Sequence, residues 1–173
     1  GDGAAQAGMG VDVGDYDDDG DPDLVVTNYQ LEHNALYRND NGWWEDVSFA
    51  AGLGQRSINY LGFGAGFFDA DNDGALDVFV TNGHVHDNIE AFDPIVTHAQ
   101  QPLLYRNVQG YFVDVSDSAG PAFAASYVGR GSAFGDYDGD GDVDIVVNNN
   151  GHAASLLRND SVVGHWLRIV PET

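Results

Sequence analysis

The chain has 173 residues, which is long enough for a domain with a hydrophobic core. Apolar residues make up 43% of it, a larger fraction than a disordered acidic tail contains. Its formal charge is −22, from 28 acidic residues against six arginines and no lysine, which disfavours nucleic acid and anionic membranes as partners and favours cations. Cysteine is absent, which excludes disulfides and thiolate metal sites, and no apolar run reaches the roughly 18 residues of a membrane span.

Three stretches of the chain, 8–28, 62–82 and 129–149, align with one another without a gap. Each opens on a glycine, reaches the first Asp of an acidic loop seven residues later, and closes on an Asn. A second shared piece follows at 34–53 and 102–121, and a third copy of it starts at 155–160 with "SLLRND". Repetition at this spacing is typical of an array of like structural units.

Each unit predicts four short strands, which in the first unit cover 9–14, 23–27, 35–38 and 43–47. The second strand is apolar without alternation, as in "LVV", "VFV" and "IVV", which is typical of a strand covered on both faces. In the fourth strand Trp43 and Trp44 are neighbours, so they face opposite ways and we expect one of them to fill the core.

These units predict an all-β fold made of β-propeller blades, with a β-sandwich carrying coincidental loops as the alternative. The predicted units are 1–53, 54–121 with a long loop at 82–102, and a partial unit at 122–160. Residues 161–173 are expected to begin a new element. A propeller typically closes with at least four blades. We therefore expect this chain to belong to a longer propeller or to be completed by blades of other chains.

Three loops follow the pattern D-x-D-x-D-G-x-x-D, and they hold 15 of the 28 acidic residues. We name them acidic loop 1 (15–23), acidic loop 2 (69–77) and acidic loop 3 (136–144). Oxygen donors at positions 1, 3, 5 and 9 of such a loop converge on one point, while Gly at position 6 allows the sharp turn. Position 7 is predicted to offer its main-chain carbonyl, since it varies between Asp and Ala. The predicted metal ligands are Asp15, Asp17, Asp19, Asp21, Asp23, Asp69, Asp71, Asp73, Ala75, Asp77, Asp136, Asp138, Asp140, Asp142 and Asp144.

Hard oxygen ligands in this number indicate Ca²⁺ rather than Zn²⁺ or copper, and Mg²⁺ fits less well because it keeps several waters. We therefore expect about three Ca²⁺ sites that stabilise the fold. An EF-hand is excluded, because position 12 is Val26, Val80 and Val147 instead of Glu and the flanking segments are β-like. Solvated acidic turns without metal are the alternative.

The repeated blocks resemble the FG-GAP/VCBS repeats of integrin α-subunit propellers. The longer pattern is similar to that of bacterial and animal proteins related to cartilage acidic protein; it includes "GDYDDDGDPDLVVTN", "FFDADNDGALDVFVTNGHV" and "LLRND". The closing "GHWLRIV" resembles the start of the ASPIC/UnbV segment that follows such repeats. The resemblance implies a secreted or surface-exposed calcium-binding propeller whose metal loops are structural, with partners bound elsewhere.

The longest insertion, 82–102, follows the second strand of the middle unit, so it is expected on the face opposite the acidic loops. Long loops on a rigid scaffold commonly carry recognition. The candidate recognition residues are His84, His86, Asp87 and His98. An H-x-H beside an Asp is also compatible with a transition metal or acid/base chemistry, the alternative being a polar loop with ordinary histidines. Asn159 heads a glycosylation sequon.

The sequence therefore predicts a secreted or cell-surface calcium-binding propeller module for adhesion, recognition or surface assembly. Its predicted partners are calcium and a protein, a glycan or a copy of itself, with no nucleic acid and no membrane span. One alternative is a structural subunit of a fibre or surface layer completed by neighbouring chains. The other is a polysaccharide-processing enzyme with its site on the 82–102 face, although G-x-S-x-G, H-E-x-x-H and P-loop motifs are absent.

Overall fold

The computed structural model describes residues 5–161, and these form three antiparallel sheets in chain order. The first sheet has four strands, β1 (Gly8–Gly14), β2 (Asp23–Asn28), β3 (Ala35–Asp40) and β4 (Trp43–Asp46), in the order β1-β2-β3-β4. We call this sheet blade 1. The strands predicted from the sequence are confirmed to within two residues at each end.

The second and third sheets repeat this arrangement. Blade 2 consists of β5 (Gly62–Phe68), β6 (Asp77–Asn82), β7 (Leu103–Val108) and β8 (Tyr111–Asp114). Blade 3 has three strands within the described residues, β9 (Gly129–Gly135), β10 (Asp144–Asn149) and β11 (Ser155–Leu157). Two one-turn helices, α1 (Gly54–Ser57) and α2 (Pro121–Ala124), lie between the blades, and short 3-10 turns cover Ile89–Ala91 and Ser116–Ser118. The fold is thus all-β and made of propeller-type blades. Residues 162–173, where a further element is predicted, lie outside the described residues.

The first strands of the three blades lie side by side, β1 against β5 and β5 against β9. The glycines that alternate along these strands make this close approach feasible. A Cβ added at Gly66 would lie 2.1 Å from the Phe134 ring, so only glycine leaves room for this ring between blades 2 and 3. The repeated glycine pattern therefore serves blade-to-blade packing.

The hydrophobic core is divided between the two blade junctions. Between blades 1 and 2 it includes Tyr16, Val25 and Leu36 on one side and Tyr105 and Phe112 on the other. Between blades 2 and 3 it is built mainly of Phe68, Phe79, Phe123, Ile145 and Val147. Burial of apolar side chains is the main stabilising term, so each blade depends on its neighbour for stability.

The prediction that every second strand is covered on both faces is confirmed only for β6, whose six residues are all buried. It is wrong for β10, where Val146 is 44% exposed, because no blade of the described chain packs beyond blade 3. The expectation that Trp43 or Trp44 fills the core is also wrong, since they are 79% and 47% exposed. They lie on the outer strand of blade 1, which has no neighbour on one face within residues 5–161.

Candidate metal centres

Each acidic loop joins the first two strands of a blade and turns through two left-handed residues. Position 6 is Gly20, Gly74 or Gly141, with φ between +91° and +97°. Position 4 is left-handed as well, and its residues are Asp18, Asn72 and Gly139. Asp, Asn and Gly are the residues that tolerate this conformation best, so the residue type at position 4 is a further sequence signal for this turn.

The carboxylate at position 1 organises the turn by accepting two main-chain N–H groups. In acidic loop 2, Asp69 accepts from Asp73 at 3.1 Å and from Gly74 at 2.9 Å. Asp15 does the same in loop 1, and Asp136 accepts from positions 4 and 6 in loop 3. The loop backbone is therefore wrapped around the carboxylate that is predicted to head the metal site.

The carboxylate at position 9 fastens the loop to the sheet. Asp77 is buried, and its two oxygens accept from the main-chain N–H groups of Ala70 at 2.9 Å and Asn107 at 2.7 Å. Asp23 and Asp144 are buried in the same way and make equivalent bonds. Because these carboxylates bridge position 2 of the loop and the third strand, they are structural whether or not a metal is present.

Predicted ligand carboxylates converge in all three loops. Oxygens within 4.8 Å of one another come from Asp15, Asp17 and Asp19 in loop 1, from Asp69, Asp71 and Asp77 in loop 2, and from Asp136, Asp138 and Asp144 in loop 3. The structure therefore brings positions 1 and 3 together in every loop, joined by position 5 in loop 1 and by position 9 in loops 2 and 3.

In loops 1 and 2 the position 3 carboxylates are the least satisfied members of these clusters. Oδ1 of Asp17 and Oδ1 of Asp71 are buried and have no hydrogen-bond partner. Burial, followed by repulsion from neighbouring loop carboxylates, raises the pKa of Asp17 and Asp71 above the ordinary value. Burial raises the pKa of Asp77 further, to about 6. A buried carboxylate oxygen without a hydrogen-bond partner is costly, so these two atoms are the strongest candidate metal ligands of their loops.

Carboxylates at positions 3, 5 and 7 of the loops also have partners other than a metal. In loop 2 the Arg106 guanidinium lies 2.7 Å from Asp71 at position 3 and 3.4 Å from Asp73 at position 5. The arginines at the same repeat position in the other blades pair elsewhere, Arg38 with Glu45 and Arg158 with Asp160. At position 7, Oδ2 of Asp21 accepts from the main chain of Asn41 at 2.7 Å, and Oδ1 of Asp142 accepts from the Asn72 amide at 2.6 Å. Asp21 also lies with Asp19 and Asp40 in a second cluster of carboxylates.

A repeated Asn, on the third strand or just after it, connects acidic loops 1 and 2 to the next blade. The Asn107 amide donates 2.7 Å to the main-chain oxygen of Tyr16, at position 2 of loop 1. Asn159 donates 2.8 Å to the equivalent oxygen of Ala70 in loop 2. The recurrence of Asn at one repeat position, as Asn39, Asn107 and Asn159, is the sequence signal for this role, and this role was not among the predicted ones. The loops thus shape the blade junctions as well as the turns.

This combination of an acidic loop between the first two strands and an apolar second strand has a known counterpart. Residues 15–80 match the family model of the FG-GAP-like repeat. The match covers acidic loops 1 and 2 and the strands around them. No curated protein matches the chain. Within residues 5–161, no helix is long and apolar enough to span a membrane.

The 82–102 insertion joins the ends of β6 and β7 that lie away from acidic loop 2. His84 is completely buried, its Nδ1 accepts from the main chain of His86 at 3.1 Å, and its Nε2 lies 3.5 Å from the Tyr29 hydroxyl. Burial lowers the pKa of His84, so this ring is neutral at pH 7. His84 is therefore part of the packing beneath the loop and is not accessible for acid/base chemistry.

The His86 ring lies near His84, with ring centroids 5.4 Å apart, but the candidate residues of this loop do not form a three-ligand cluster. His86 and Asp87 are exposed, and His98 donates its main-chain N–H to Glu90 at 2.9 Å. Among residues 5–161, no group that contains a histidine brings three candidate ligand atoms within 4.8 Å. The transition-metal interpretation of the H-x-H motif therefore has no structural support in this part of the chain.

A groove of about 540 Å³ lies between this insertion and the segment that connects blades 1 and 2. Its wall includes Gln100, whose carboxamide oxygen accepts from the main chain of Leu61 at 3.0 Å, and Arg56, whose Nε is 3.0 Å from Asp114. Ile95 and Thr97 of the insertion line its other side. The groove combines oriented amide and guanidinium groups with an exposed apolar side chain.

Asn159, the predicted sequon residue, uses its amide nitrogen to bind Ala70 and its amide oxygen to accept from Ser161. A sugar on this nitrogen would compete with the bond between blades 2 and 3. The folded structure therefore disfavours glycosylation at Asn159.

Proposed function

We propose that this chain is an extracellular β-propeller module whose acidic loops each bind one Ca²⁺, and that the metal stabilises a scaffold for recognition of a protein or glycan. The observation that carries the metal assignment is the pair of buried, unpartnered Oδ1 atoms of Asp17 and Asp71, each inside a cluster of carboxylates. All donors in the clusters are hard oxygens, which favours Ca²⁺ over softer metals.

The proposed role of calcium is structural, because the loop carboxylates repel one another without metal and the loops also form the blade junctions. A ligand that binds only the folded state raises stability by mass action. The test is a thermal melt of the chain in excess Ca²⁺ and in EGTA, with Mg²⁺ as the control ion. We expect a higher melting temperature in Ca²⁺ than in Mg²⁺ or EGTA, and three equal midpoints would refute the proposal.

The extracellular part of the proposal has a test of its own in the calcium affinity. Extracellular calcium modules have dissociation constants of about 10⁻⁴ to 10⁻³ M, whereas cytosolic sensors bind at roughly 10⁻⁷ to 10⁻⁵ M. We expect isothermal titration to give values in the weaker range, with about three sites per chain. Submicromolar binding at all sites would contradict an extracellular setting.

The proposed recognition surface is the 82–102 insertion with its groove. Phe92 and Ile95 are strongly exposed on this insertion, and exposed apolar side chains beside oriented polar groups are typical of interaction sites. The test is binding of the calcium-loaded chain to a glycan array and to intact cells. The double variant Phe92→Ser/Ile95→Ser should no longer bind to the array or the cells. The control Val108→Ser, at an exposed position on the third strand of blade 2, should bind like the unmodified chain. Equal retention of both variants would exclude this surface.

A further inference from the structure

Side-chain amides are concentrated in the groove between the 82–102 insertion and the segment that connects blades 1 and 2. Three of the six glutamines of the chain, Gln55, Gln100 and Gln101, line this groove together with Asn59. They come from two segments that are distant in sequence, so the fold assembles the cluster. Each carboxamide offers hydrogen-bond donors and an acceptor without carrying a charge.

Gln100 is the fixed point of this cluster. It is 4% exposed, and its main chain exchanges hydrogen bonds of 2.8 and 3.1 Å with Tyr127. Its carboxamide oxygen accepts from the main-chain N–H of Leu61 at 3.0 Å, next to Tyr60 in the groove wall. Within residues 5–161 its carboxamide nitrogen has no hydrogen-bond partner. A donor that is already held in place binds a ligand at little cost in conformational entropy.

Gln101 provides the complementary acceptor. Its carboxamide nitrogen donates to the main-chain oxygen of Ala124 at 3.1 Å, and its main-chain oxygen accepts from the Asn82 amide at 2.8 Å. In the part of the chain that the structure describes, the carboxamide oxygen of Gln101 accepts no hydrogen bond. The groove thus has one fixed donor and one fixed acceptor on adjacent residues, and the two remaining amides on its other wall are exposed.

The groove carries no free charge that would select an ion. Among residues 5–161, none of the side chains that line it is acidic, although the chain holds 28 acidic residues. The guanidinium of Arg56 lies 3.0 Å from Asp114 and 3.9 Å from Asp117, so its charge is already offset. The formal charge of −22 further disfavours an anionic ligand. A cation therefore meets no carboxylate in this lining, and an anion meets no unpaired arginine.

We propose that this groove binds a neutral glycan through its side-chain amides. Each sugar hydroxyl both donates and accepts hydrogen bonds, which matches the mixture of amide N–H and C=O groups. The volume of about 540 Å³ lies within the range of roughly 300–1,000 Å³ that is usual for small-molecule sites. The inference rests on the proposed function, because it names the ligand of the proposed recognition surface.

A protein partner fits this lining less well. The centre of a protein–protein interface is rich in apolar and aromatic side chains, and charged residues are depleted there. In this groove Ile95 and the Tyr60 ring are the large apolar members, and the Arg56 guanidinium lies 5.8 Å from the centre of that ring. The remaining lining is mainly amide and hydroxyl groups, which suits a ligand that is hydroxylated over its whole surface.

The test is binding of the calcium-loaded full chain to immobilised short oligosaccharides of glucose, galactose and mannose, with sulfated and uronic acid oligosaccharides as the acidic comparison. We expect binding to at least one neutral set and none to the acidic sets. Gln55→Ala and Asn59→Ala, both at exposed positions, should each weaken binding by about 2- to 10-fold, the equivalent of one hydrogen bond. Asn88→Ala is the matched control, an exposed amide of the insertion that does not line the groove, and it should bind like the unmodified chain.

Gln100→Glu tests the fixed donor. It keeps an oxygen to accept from Leu61 and replaces the N–H₂ group by a second oxygen, so it should abolish glycan binding. Circular dichroism and calcium titration check that this variant folds and keeps its metal sites. If it does not fold, the two exposed variants decide the result. Neutral glycan binding that survives all three changes, or binding to the acidic sets alone, overturns the inference.

Intact cells separate this inference from the wider recognition proposal. Mild periodate cleaves the vicinal diols of sugars, so it should remove the binding of the calcium-loaded chain to cells. Cell binding that persists after periodate and is lost in the Phe92→Ser/Ile95→Ser variant would identify a protein partner, which keeps the recognition surface and overturns the neutral glycan. Absence of binding to both oligosaccharides and cells would refute the recognition surface and this inference together.

Discussion

The side-chain amide of Asn107 donates a hydrogen bond of 2.7 Å to the main-chain oxygen of Tyr16, in the acidic loop of the preceding blade. The same amide nitrogen donates 3.1 Å to Leu76 in its own blade, and the amide oxygen accepts from Gly110. One buried side chain thus holds two acidic loops and a strand turn in a fixed arrangement. Changes in either loop are therefore transmitted to the junction between blades.

Asn107→Ala should lower the free energy of unfolding by about 1–3 kcal/mol, because it leaves a buried carbonyl without its partner. Denaturation by urea in the presence of Ca²⁺ measures the change. Asn88→Ala, at an exposed position of the long insertion, is the control and should be neutral. A loss below 0.5 kcal/mol, the lower bound for one hydrogen bond, would show that the bond to Tyr16 contributes little to the junction.

Asp71→Asn should remove calcium binding at acidic loop 2 and with it much of the stabilisation that calcium provides there, because a neutral amide replaces a ligand carboxylate. Calorimetric titration should then count one site fewer than in the unmodified chain. Asp18→Asn is the control, since position 4 is not in the cluster of loop 1 and Asn tolerates its left-handed conformation. If Asp18→Asn lost a site and Asp71→Asn did not, position 4 and not position 3 would be the metal ligand.

Arg106→Met should tighten calcium binding at acidic loop 2, because the guanidinium pairs with Asp71 and Asp73 and competes with the metal for them. Exposed ion pairs contribute about 0.2–1 kcal/mol, so the expected gain in affinity is about 1.5- to 5-fold. Arg38→Met is the matched control, since Arg38 occupies the same repeat position but pairs with Glu45 and not with a carboxylate of acidic loop 2. Weaker binding after Arg106→Met would show that the arginine assists the site.

Without metal, stability should fall as pH rises from about 4 to 7. Burial raises the pKa of Asp77 to about 6, so between its ordinary value of 3.8 and 6 the folded protein holds a proton that the unfolded chain releases. The contribution of Asp77 is therefore present at low pH and is lost as pH rises through about 6. Melts in EGTA across this range measure the trend.

Calcium should reverse this trend, because the metal binds the ionised carboxylates and its affinity rises with pH. The difference between melting temperatures in Ca²⁺ and EGTA is thus expected to widen from pH 4.5 to pH 7. A constant difference across this interval would mean that the loop carboxylates do not bind the ion.

Gly66→Ala should destabilise the chain by about 1–3 kcal/mol, because the added methyl group would overlap the Phe134 ring between blades 2 and 3. Gly131→Ala is the matched control, since a Cβ there meets no atom within 4 Å. Urea denaturation of both variants tests whether the alternating glycines serve packing. Equal stability of the two would show that the junction adjusts at no cost.

Local features of this protein were decided by the sequence alone. Four strands per unit follow from short apolar runs bounded by turn residues, and the bounds of β1 to β4 agree with the prediction to within two residues. The acidic loops follow from carboxylates and glycine at fixed spacing, because a tight turn leaves few ways to arrange such residues. The sequence of each loop is therefore sufficient to predict that the carboxylates at positions 1 and 3 lie close together.

Which faces are covered was decided only by the tertiary structure. Phe112 and Trp44 occupy the same repeat position, yet one is buried and the other is half exposed, because blade 1 packs against Phe112 and no described blade packs against Trp44. His84 is likewise a surface candidate by sequence and a buried residue in the structure. Burial depends on neighbours distant in sequence, such as Tyr16 for Asn107, and local spacing carries no information about them.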